Sequence, residues 1–274
     1  MTDTKGTVLT TGANSGIGLA TAIEVARRGY RSIGSVRSED KAAVLVAAAA
    51  DAGVKVEPVL LDVTDAGACE AVMAGLDLYG LINNAGYTNT GAVEDVDDDD
   101  VRRQLETMAV APMRLARLAL PSMREATRGR IINVSSIYGR TTTPLTGWYQ
   151  AAKHALEAVS DALRMEVAAS GVKVVLVEPG GFRTGIWESN ETAVARHEES
   201  RYASAYQREL MLTRLAQPLM GNPSRVARVI ARALDARQPR ARYLVGYDAQ
   251  ALALVELVTP TSVKDVVTRL GLGL

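Results

Sequence analysis

Short runs of β-branched and apolar residues alternate with longer segments of helical period along most of this chain. Such alternation predicts βαβ units, in which successive strands are parallel and the connecting helices cover both faces of the sheet. The predicted strands are Thr7–Thr11, Ser32–Val36, Lys55–Leu60, Leu78–Asn83, Arg130–Ser135, Val172–Glu178 and Tyr243–Gly246. The predicted helices are Ile17–Arg28, Asp40–Ala52, Ala66–Leu76, Val101–Met123, Tyr149–Ala169 and Val226–Ala236. The sequence therefore predicts an α/β fold with a doubly wound parallel sheet of about seven strands.

Two regions depart from this alternation without requiring a second domain. The segment 185–221 is rich in charge and lacks a predicted strand, so we expect a small lid over the carboxyl ends of the strands. The tail 248–274 is amphipathic and is interrupted by Pro260, which predicts one or two helices packed on the body or on a partner. We therefore expect residues 1–274 to form a single domain.

The composition of the chain argues against several classes of function. Apolar residues make up 47% and charged residues 23% of the 274 residues, as is typical of a globular chain. Basic and acidic residues balance at 31 each, so we expect neither a nucleic-acid partner nor an anionic membrane surface. A single cysteine, Cys69, and two histidines predict neither a disulfide framework nor a metal site. The polar start of the chain and the absence of an apolar tract of ~18 residues predict a cytoplasmic protein.

The first predicted strand runs directly into a glycine-rich turn, and a helical pattern follows at once. Gly12 would permit the tight turn, Gly16 would let the backbone approach a pyrophosphate, and Gly18 would let the helix pack closely on the strand. The helix amino terminus would add N–H groups and positive potential for an anion. A glycine cluster can also be an ordinary surface loop, but its place in a βαβ unit favours phosphate binding. The residues of this turn that we expect to bind a cofactor are Gly12, Asn14, Ser15, Gly16, Ile17 and Gly18.

Tyr149 and Lys153 are four residues apart on one predicted helix and so share a face. A lysine charge within about 4–6 Å favours the tyrosinate, which would lower the pKa of the phenol from its usual value of about 10. Tyr149 could then act as an acid or base near neutral pH. Many such pairs are only solvated helix faces, so the meaning of this pair depends on its neighbours. Ser136 ends a predicted strand and could hold the same substrate oxygen, or it could be an ordinary turn serine.

Six motifs follow one another along the chain in a characteristic order and spacing. They are Thr11-Gly12-x-x-x-Gly16-Ile17-Gly18, Leu61-Asp62-Val63, Asn83-Asn84-Ala85-Gly86, Ser135-Ser136, Tyr149-x-x-x-Lys153, and Pro179-Gly180 with Thr184. In these motifs the chain resembles the short-chain dehydrogenase/reductase family, from about Thr7 to Leu244. The segment that begins at Trp148 and the extended tail look most like hydroxysteroid-dehydrogenase-like or retinol-dehydrogenase-like ketone reductases. The resemblance implies a Rossmann fold and an oxidoreductase that interconverts a secondary alcohol and a ketone or aldehyde.

The resemblance also implies roles for the residues at the matched positions. Ser136, Tyr149 and Lys153 would be catalytic, with Tyr149 exchanging a proton with the substrate oxygen and Lys153 binding the nicotinamide ribose. Asp62 and Val63 would contact the adenine, although Asp62 also suits a capping role. Asn84, Ala85 and Gly86 would line the adenine-side ribose, and the nicotinamide carboxamide would be held by Pro179, Gly180, Phe182 and Thr184. Family members are often dimers or tetramers, so we expect a homodimer or homotetramer that acts on a small carbonyl or alcohol substrate.

The end of the second predicted strand favours NADP over NAD. A carboxylate there would bind the ribose 2′-hydroxyl of NAD, whereas an arginine would pair with the 2′-phosphate of NADP. Val36 is neutral and Arg37 follows it, so we expect Arg37 to bind the phosphate. An exposed arginine without this role is the alternative, and Glu39 and Asp40 nearby weaken the attraction for a phosphate.

One position departs from the family pattern. Many members place an asparagine thirteen residues before a helix-closing proline, where it holds a water that links the lysine to solvent. Counting back from Pro121 at this spacing leads to Met108. A thioether is a weak acceptor and no donor, so another group would have to hold the water. Met108 therefore leaves open an NADP-binding sensor or scaffold with little turnover, and an epimerase or dehydratase is a further alternative.

Large side chains near these motifs could line a substrate pocket. Tyr138 and Trp148 flank the catalytic segment, and Trp187 and Met211 lie in the expected lid. Aromatic residues are more often part of a core than contacts of a ligand. Their place beside the expected site favours a pocket for a mostly apolar small molecule.

Overall fold

The seven predicted strands lie in one parallel sheet of order β3-β2-β1-β4-β5-β6-β7. The computed structural model describes residues 4–185, 192 and 194–274. The strands are β1 (Thr7–Thr10), β2 (Arg31–Val36), β3 (Glu57–Leu60), β4 (Gly80–Asn83), β5 (Gly129–Val134), β6 (Val172–Pro179) and β7 (Arg242–Val245). The strand order reverses between β1 and β4, which is where open α/β sheets bind their ligands. The predicted doubly wound Rossmann-like sheet is confirmed.

Helices connect the strands and cover both faces of the sheet. They are α1 (Gly16–Arg27), α2 (Glu39–Asp51), α3 (Ala66–Ala74), α4 (Asp98–Leu105), α5 (Ala111–Glu125), α6 (Gly147–Glu166), α7 (Ala203–Ala216), α8 (Pro223–Asp235), α9 (Tyr247–Val258) and α10 (Thr261–Leu272). Successive strand residues point to opposite faces. Leu9 packs with Leu115 of α5 on one face, whereas Val8 packs with Ile230 of α8 on the other. The strand alternation thus divides the core into two layers.

The single helix predicted over Val101–Met123 is instead two α-helices, α4 and α5, joined by the π-helical segment Glu106–Val110. The N–H of Ala111 donates to the carbonyl of Glu106, five residues earlier. Pro112 has no N–H to direct at the Met108 carbonyl, as an α-helix would require. The proline therefore favours the wider turn, within which Met108 is only 1% exposed.

The lid segment and the tail both contribute walls to the cavity beside the carboxyl edge of the sheet. Within the described part of 185–221, Tyr206 of α7 packs against Leu272 of the tail. The tail consists of α9 and α10, which lie on either side of Pro260. Among the helices of the described ranges, none has the length and apolar character needed to cross a membrane.

Three glycines between a helical segment and the following strand have positive φ, as the predicted helix ends require. The φ angles are +84° at Gly29, +70° at Gly53 and +77° at Gly171. Gly171 is also crowded, because a Cβ there would lie 2.0 Å from the carbonyl oxygen of Thr127. An added Cβ at Gly29 would have no atom within 4 Å. A comparison of substitutions at Gly29 and Gly171 therefore separates the cost of a left-handed backbone from the cost of a steric clash.

Gly171→Ala is expected to lower the free energy of unfolding by about 3 kcal/mol, because strain and clash add. Gly29→Ala is the matched control and should cost about 1 kcal/mol, since it introduces only the left-handed strain. Urea unfolding followed by circular dichroism measures both changes. Equal losses in the two variants would show that the contact with Thr127 has no energetic weight.

Candidate active site

The glycine turn between β1 and α1 leaves room for a phosphate group. Gly12 and Gly16 have φ of +66° and +53°, a conformation that favours glycine. A Cβ on Gly18 would lie 2.2 Å from the carbonyl oxygen of Gly12, so only glycine fits there. The side chain of Ser15 makes no capping hydrogen bond, and the first turn of α1 contains no acidic residue. The first N–H groups of α1 thus remain available to an anion, which fits the pyrophosphate of a nicotinamide dinucleotide.

The loop after β4 is hydrogen-bonded to the loop after β1. The N–H groups of Asn84 and Ala85 donate to the Thr11 hydroxyl over 2.9 and 3.0 Å. The side-chain amide of Asn84 also donates to the carbonyl of Thr11 over 2.9 Å. A Cβ on Gly86 would lie 3.0 Å from the sulfur of Met108. The expected ribose contacts are therefore held beside the glycine turn.

Ser136, Tyr149 and Lys153 are adjacent in the structure, as the motif spacing predicts. Ser136 accepts a hydrogen bond from the N–H of Tyr138 over 3.1 Å, and its side chain is close enough to Tyr149 to act on the pKa of the phenol. The Lys153 ammonium lies 5.8 Å from the centre of the Tyr149 ring. It donates to the carbonyl oxygen of Val134 over 2.9 Å. All three side chains are buried, so they form one enclosed cluster.

Burial, rather than the lysine charge, dominates the pKa values of the Tyr149–Lys153 pair. Burial raises the pKa of Tyr149 to about 12, although the nearby side chain of Ser136 acts in the opposite direction. Burial lowers the pKa of Lys153 to about 8, and the charge of Glu157 opposes this shift. The expectation that Lys153 brings the pKa of Tyr149 below 10 is therefore corrected, because the protein interior disfavours both charged forms.

An ion network that the sequence analysis missed lies next to Lys153. Glu157 follows Lys153 by one helical turn, and its carboxylate pairs with Arg242 at 2.8 Å. Glu178, fully buried in β6, pairs with Arg242 at 3.1 Å and with Arg140 at 2.6 Å. The four-residue spacing of Lys153 and Glu157 was the usable signal in the sequence. The Glu157 carboxylate favours the protonated form of Lys153.

A cavity of about 560 Å³ opens beside the three catalytic candidates, all of which line it. Of the expected cofactor contacts, those in its wall are Ile17, Asn84, Gly86, Pro179, Gly180, Phe182 and Thr184. The opposite wall comes from the lid, the first turn of α8, and α9, and it includes Glu209, Leu212, Thr213, Leu219, Met220, Arg225, Tyr247, Asp248 and Leu252. None of these opposite-wall residues was predicted from the sequence, because the charge pattern of segment 185–221 indicated a lid but not which of its side chains face the cavity. The cavity size suits a small molecule.

The predicted pocket residues have different outcomes. Tyr138 lies in the cavity wall, and its ring meets that of Tyr149 edge-on, with centroids 6.3 Å apart. The prediction for Trp148 is corrected, because its indole N–H donates to the carbonyl of Val93 over 3.3 Å. One position before the tyrosine is about 100° away around the helix, and Trp148 is not among the described cavity-lining residues. Met211 is 55% exposed and also lies off this wall, and Trp187 lies outside the described residues.

Arg37, Asp62 and Val63 follow β2 and β3, on the other side of β1 from β4. Asp62 accepts hydrogen bonds from the N–H and the hydroxyl of Thr64 over 3.0 and 2.7 Å and so closes a local turn, whereas Asp65 caps α3 by accepting from the N–H of Ala68 over 3.0 Å. Burial acts to raise the pKa of Asp62, but the hydrogen bonds with Thr64 and the charge of Arg37 outweigh burial, so the pKa is lowered. Val63 is buried, and its carbonyl accepts from Arg114 over 3.1 Å. Arg37 is exposed and near Asp62 at the expected adenine end.

Tyr149 is expected to stay protonated when ordinary tyrosines ionise, because its pKa is raised to about 12. The phenol therefore contributes stability below the unfolded pKa of about 10, and this contribution is lost as the pH rises toward 12. Ultraviolet titration of phenolate in the native protein and in Tyr149→Phe measures the difference. The two curves should coincide up to about pH 10. A difference that develops below this pH would show that the Lys153 charge outweighs burial.

Comparison with known proteins places the chain among dehydrogenases. The family model for short chain dehydrogenases matches residues 6–195. Retinol dehydrogenase 5 of Homo sapiens is 32% identical over 283 residues, which cover 95% of this chain and 86% of that protein.

Two solved structures share the fold over nearly the whole chain. A short-chain dehydrogenase from Streptomyces avermitilis superimposes with a TM-score of 0.80 and 33% identity, covering 98% of this chain and 97% of that one. Actinorhodin polyketide ketoreductase with NADPH has a TM-score of 0.77 and 25% identity, covering 91% and 98% of the two chains. The chain therefore belongs to the short-chain dehydrogenase/reductase family, with a retinol dehydrogenase among its relatives, and is an oxidoreductase that binds a nicotinamide cofactor.

Proposed function

We propose that this protein is an NADP-dependent oxidoreductase that interconverts a secondary alcohol and a ketone or aldehyde on a mostly apolar small molecule. The observation that carries the proposal is that Ser136, Tyr149 and Lys153 all lie in the wall of one cavity. The same wall contains the expected nicotinamide contacts Pro179, Gly180 and Thr184. A carbonyl oxygen beside the two hydroxyl groups would accept hydrogen bonds from both.

The protein residues would handle the proton while the bound cofactor supplies the hydride. Tyr149 would donate its proton to the carbonyl oxygen in reduction and would take it from the alcohol in oxidation. The raised pKa keeps the phenol protonated at neutral pH, which is the form that reduction requires. Ser136 would hydrogen-bond the same oxygen and stabilise the negative charge that develops on it.

Lys153 would act on Tyr149 and on the cofactor ribose rather than on the substrate. Its ammonium group lines the cavity and is oriented by the carbonyl of Val134. A positive charge near the Tyr149 ring would stabilise the phenolate as the proton leaves. The pKa of about 8 also allows Lys153 to exchange a proton near neutral pH.

The position of Arg37 supports NADP as the cofactor. Arg37 is exposed at the end of β2, and its charge lowers the pKa of Asp62 and counteracts the burial that raises that of Tyr87. A dinucleotide bound at the glycine turn would place its adenine ribose at this side of β1. The ketoreductase relative that was solved with NADPH agrees with this choice.

The cavity wall supports a mostly apolar substrate. Leu212, Leu219, Met220 and Leu252 contribute apolar side chains from the lid and the tail. Such a wall excludes water and binds substrates through their apolar surface. The name of the human relative, a retinol dehydrogenase, agrees with an alcohol as substrate.

We also propose a homodimer or homotetramer located in the cytoplasm. Three apolar side chains on the long-helix region are well exposed, namely Val110 at 49%, Val159 at 38% and Met165 at 66%. Exposed apolar side chains of this kind are available to contacts between subunits. The balanced charge of 31 basic and 31 acidic residues provides no long-range repulsion between copies.

Tyr149→Phe is expected to lower kcat for ketone reduction at least ~100-fold, because the general acid is lost. NADPH binding, measured by fluorescence titration, should be unchanged. Tyr243→Phe is the matched control, because it removes a tyrosine hydroxyl that is not in the cavity wall. Tyr243 lies in β7, and its hydroxyl accepts a hydrogen bond from the N–H of Arg240. Full residual activity in Tyr149→Phe would remove Tyr149 from its role. A wild-type protein that binds NADPH and reduces no ketone in a broad panel would favour the sensor interpretation.

Arg37→Asp is expected to lower the ratio of kcat/KM for NADPH to that for NADH at least ~10-fold, because a charged hydrogen bond to the 2′-phosphate becomes a repulsion. Steady-state kinetics with both cofactors measures this ratio. Lys55→Asp changes the net charge equally but lies before β3, away from the glycine turn, and should leave the ratio as it is. The same ratio in all three proteins would show that Arg37 does not contact the phosphate.

A further inference from the structure

Glu209 places a carboxyl group on the inner face of the lid helix α7. Tyr206, three residues earlier, and Thr213, four residues later, are 1% and 7% exposed. Residues at these spacings share one side of a helix. Glu209 itself lines the cavity that contains Tyr149. Its carboxyl group is therefore available to a molecule in the cavity.

The Glu209 carboxyl group forms no ion pair with a lysine or arginine among the residues that the structure describes. Burial raises its pKa, and a hydrogen bond with Thr213 acts in the opposite direction. Its charge adds to the effect of burial in raising the pKa of Tyr138, another residue of the cavity wall. A half-buried carboxyl group in this setting is stabilised by a further hydrogen-bond donor.

The other charged side chains of the cavity wall have partners of their own. Lys153 donates to a backbone carbonyl over 2.9 Å. Asp248 accepts from the N–H of Gly181 over 2.5 Å. The Arg225 guanidinium lies 4.9 Å from the centre of the Tyr247 ring. Together with Glu209, these groups are two anions and two cations, so the wall carries no net charge and favours a neutral ligand over a charged one. A neutral hydroxyl group is therefore the donor that best fits the lid carboxyl group.

We propose that Glu209 accepts a hydrogen bond from a hydroxyl group of the substrate, away from the reacting carbonyl. The substrate would then be an apolar ketone or aldehyde that carries a second, hydroxyl function. This inference rests on the proposed function, because it names the substrate class of the same site. Glu209 sets specificity and takes no part in proton transfer to the carbonyl oxygen. A hydrogen bond to a charged acceptor corresponds to a preference of roughly tenfold or more.

Matched ketones test this assignment. The substrates are straight-chain 2-alkanones of increasing length and the same ketones with a hydroxyl group on the terminal carbon. At one or two chain lengths, the wild-type protein should show kcat/KM about tenfold or more higher for the hydroxyketone. Glu209→Leu should lose this preference, so that its kcat/KM values for the hydroxyketone and the plain ketone of one length become similar. Glu209→Gln keeps an acceptor oxygen and should retain part of the preference.

Gln207→Leu is the matched control, because Gln207 is exposed on the same helix. It should keep the full preference for the hydroxyketone. Each readout is a ratio between two substrates on one protein, so a general effect of a substitution on folding cancels. A purely structural role for Glu209 would change both rates together and leave the ratio unchanged.

Four outcomes would overturn the inference. Plain ketones could be reduced with no preference for a hydroxyketone at any length, in which case the proposed function stands alone. The preference could persist unchanged in Glu209→Leu. Ketones with a terminal amine could be preferred over both series, which would exclude a neutral hydroxyl as the donor. Reduction of none of these ketones by the wild type would refute the proposed function first, and the inference with it.

Discussion

The parallel register of β1, β4, β5 and β6 is the constraint on which the active site depends. These strands are neighbours and run in one direction, so their carboxyl ends bring four loops to the same edge of the sheet. The glycine turn, the Asn84 loop, Ser136 and Pro179 each lie at one of these ends. The hydrogen bonds between Thr11 and Asn84 then hold the first two loops together. The sheet topology therefore brings side chains that are far apart in the sequence to one edge, where they can act on the same molecule.

Features with a local signal were predictable from the sequence. Each strand is a short apolar run, and the spacing of Tyr149 and Lys153 places them on one helix face. The offset of Trp148 from Tyr149 around α6 was a local signal against its place in the pocket, whereas its hydrogen bond to Val93, 55 residues away, was not predictable. Glu209 was also missed, because its meaning comes from the cavity on which α7 packs and not from its neighbours in the chain. Cavity walls formed by distant segments leave no pattern within any one segment.

The pKa values of Tyr149 and Lys153 were also not predictable from their spacing in the sequence. Sequence spacing predicts that the two groups are close, and the structure places the ammonium 5.8 Å from the ring centre. Spacing does not predict how much water reaches them. Burial raises the pKa of Tyr149 to about 12 and lowers that of Lys153 to about 8. The two shifts bring the site to a state with a protonated phenol and a readily deprotonated amine, which is suited to donating a proton to a carbonyl oxygen.

With a methionine at position 108, the groups that act on the charge of Lys153 are Glu157 and, through it, Arg242 rather than a polar side chain of the π-helical segment. Met108 packs in one apolar cluster with Tyr149, and its thioether is a weak acceptor that does little to stabilise an ammonium group. Burial lowers the pKa of Lys153, and the charge of Glu157, one turn later on the same helix, counteracts this shift. The carboxylate of Glu157 is in turn held by Arg242. Arg242 is 28% exposed, so the network extends from the lysine region toward solvent. The electrostatics of Lys153 therefore depend on α6 and β7 more than on the π-helical segment that contains Met108.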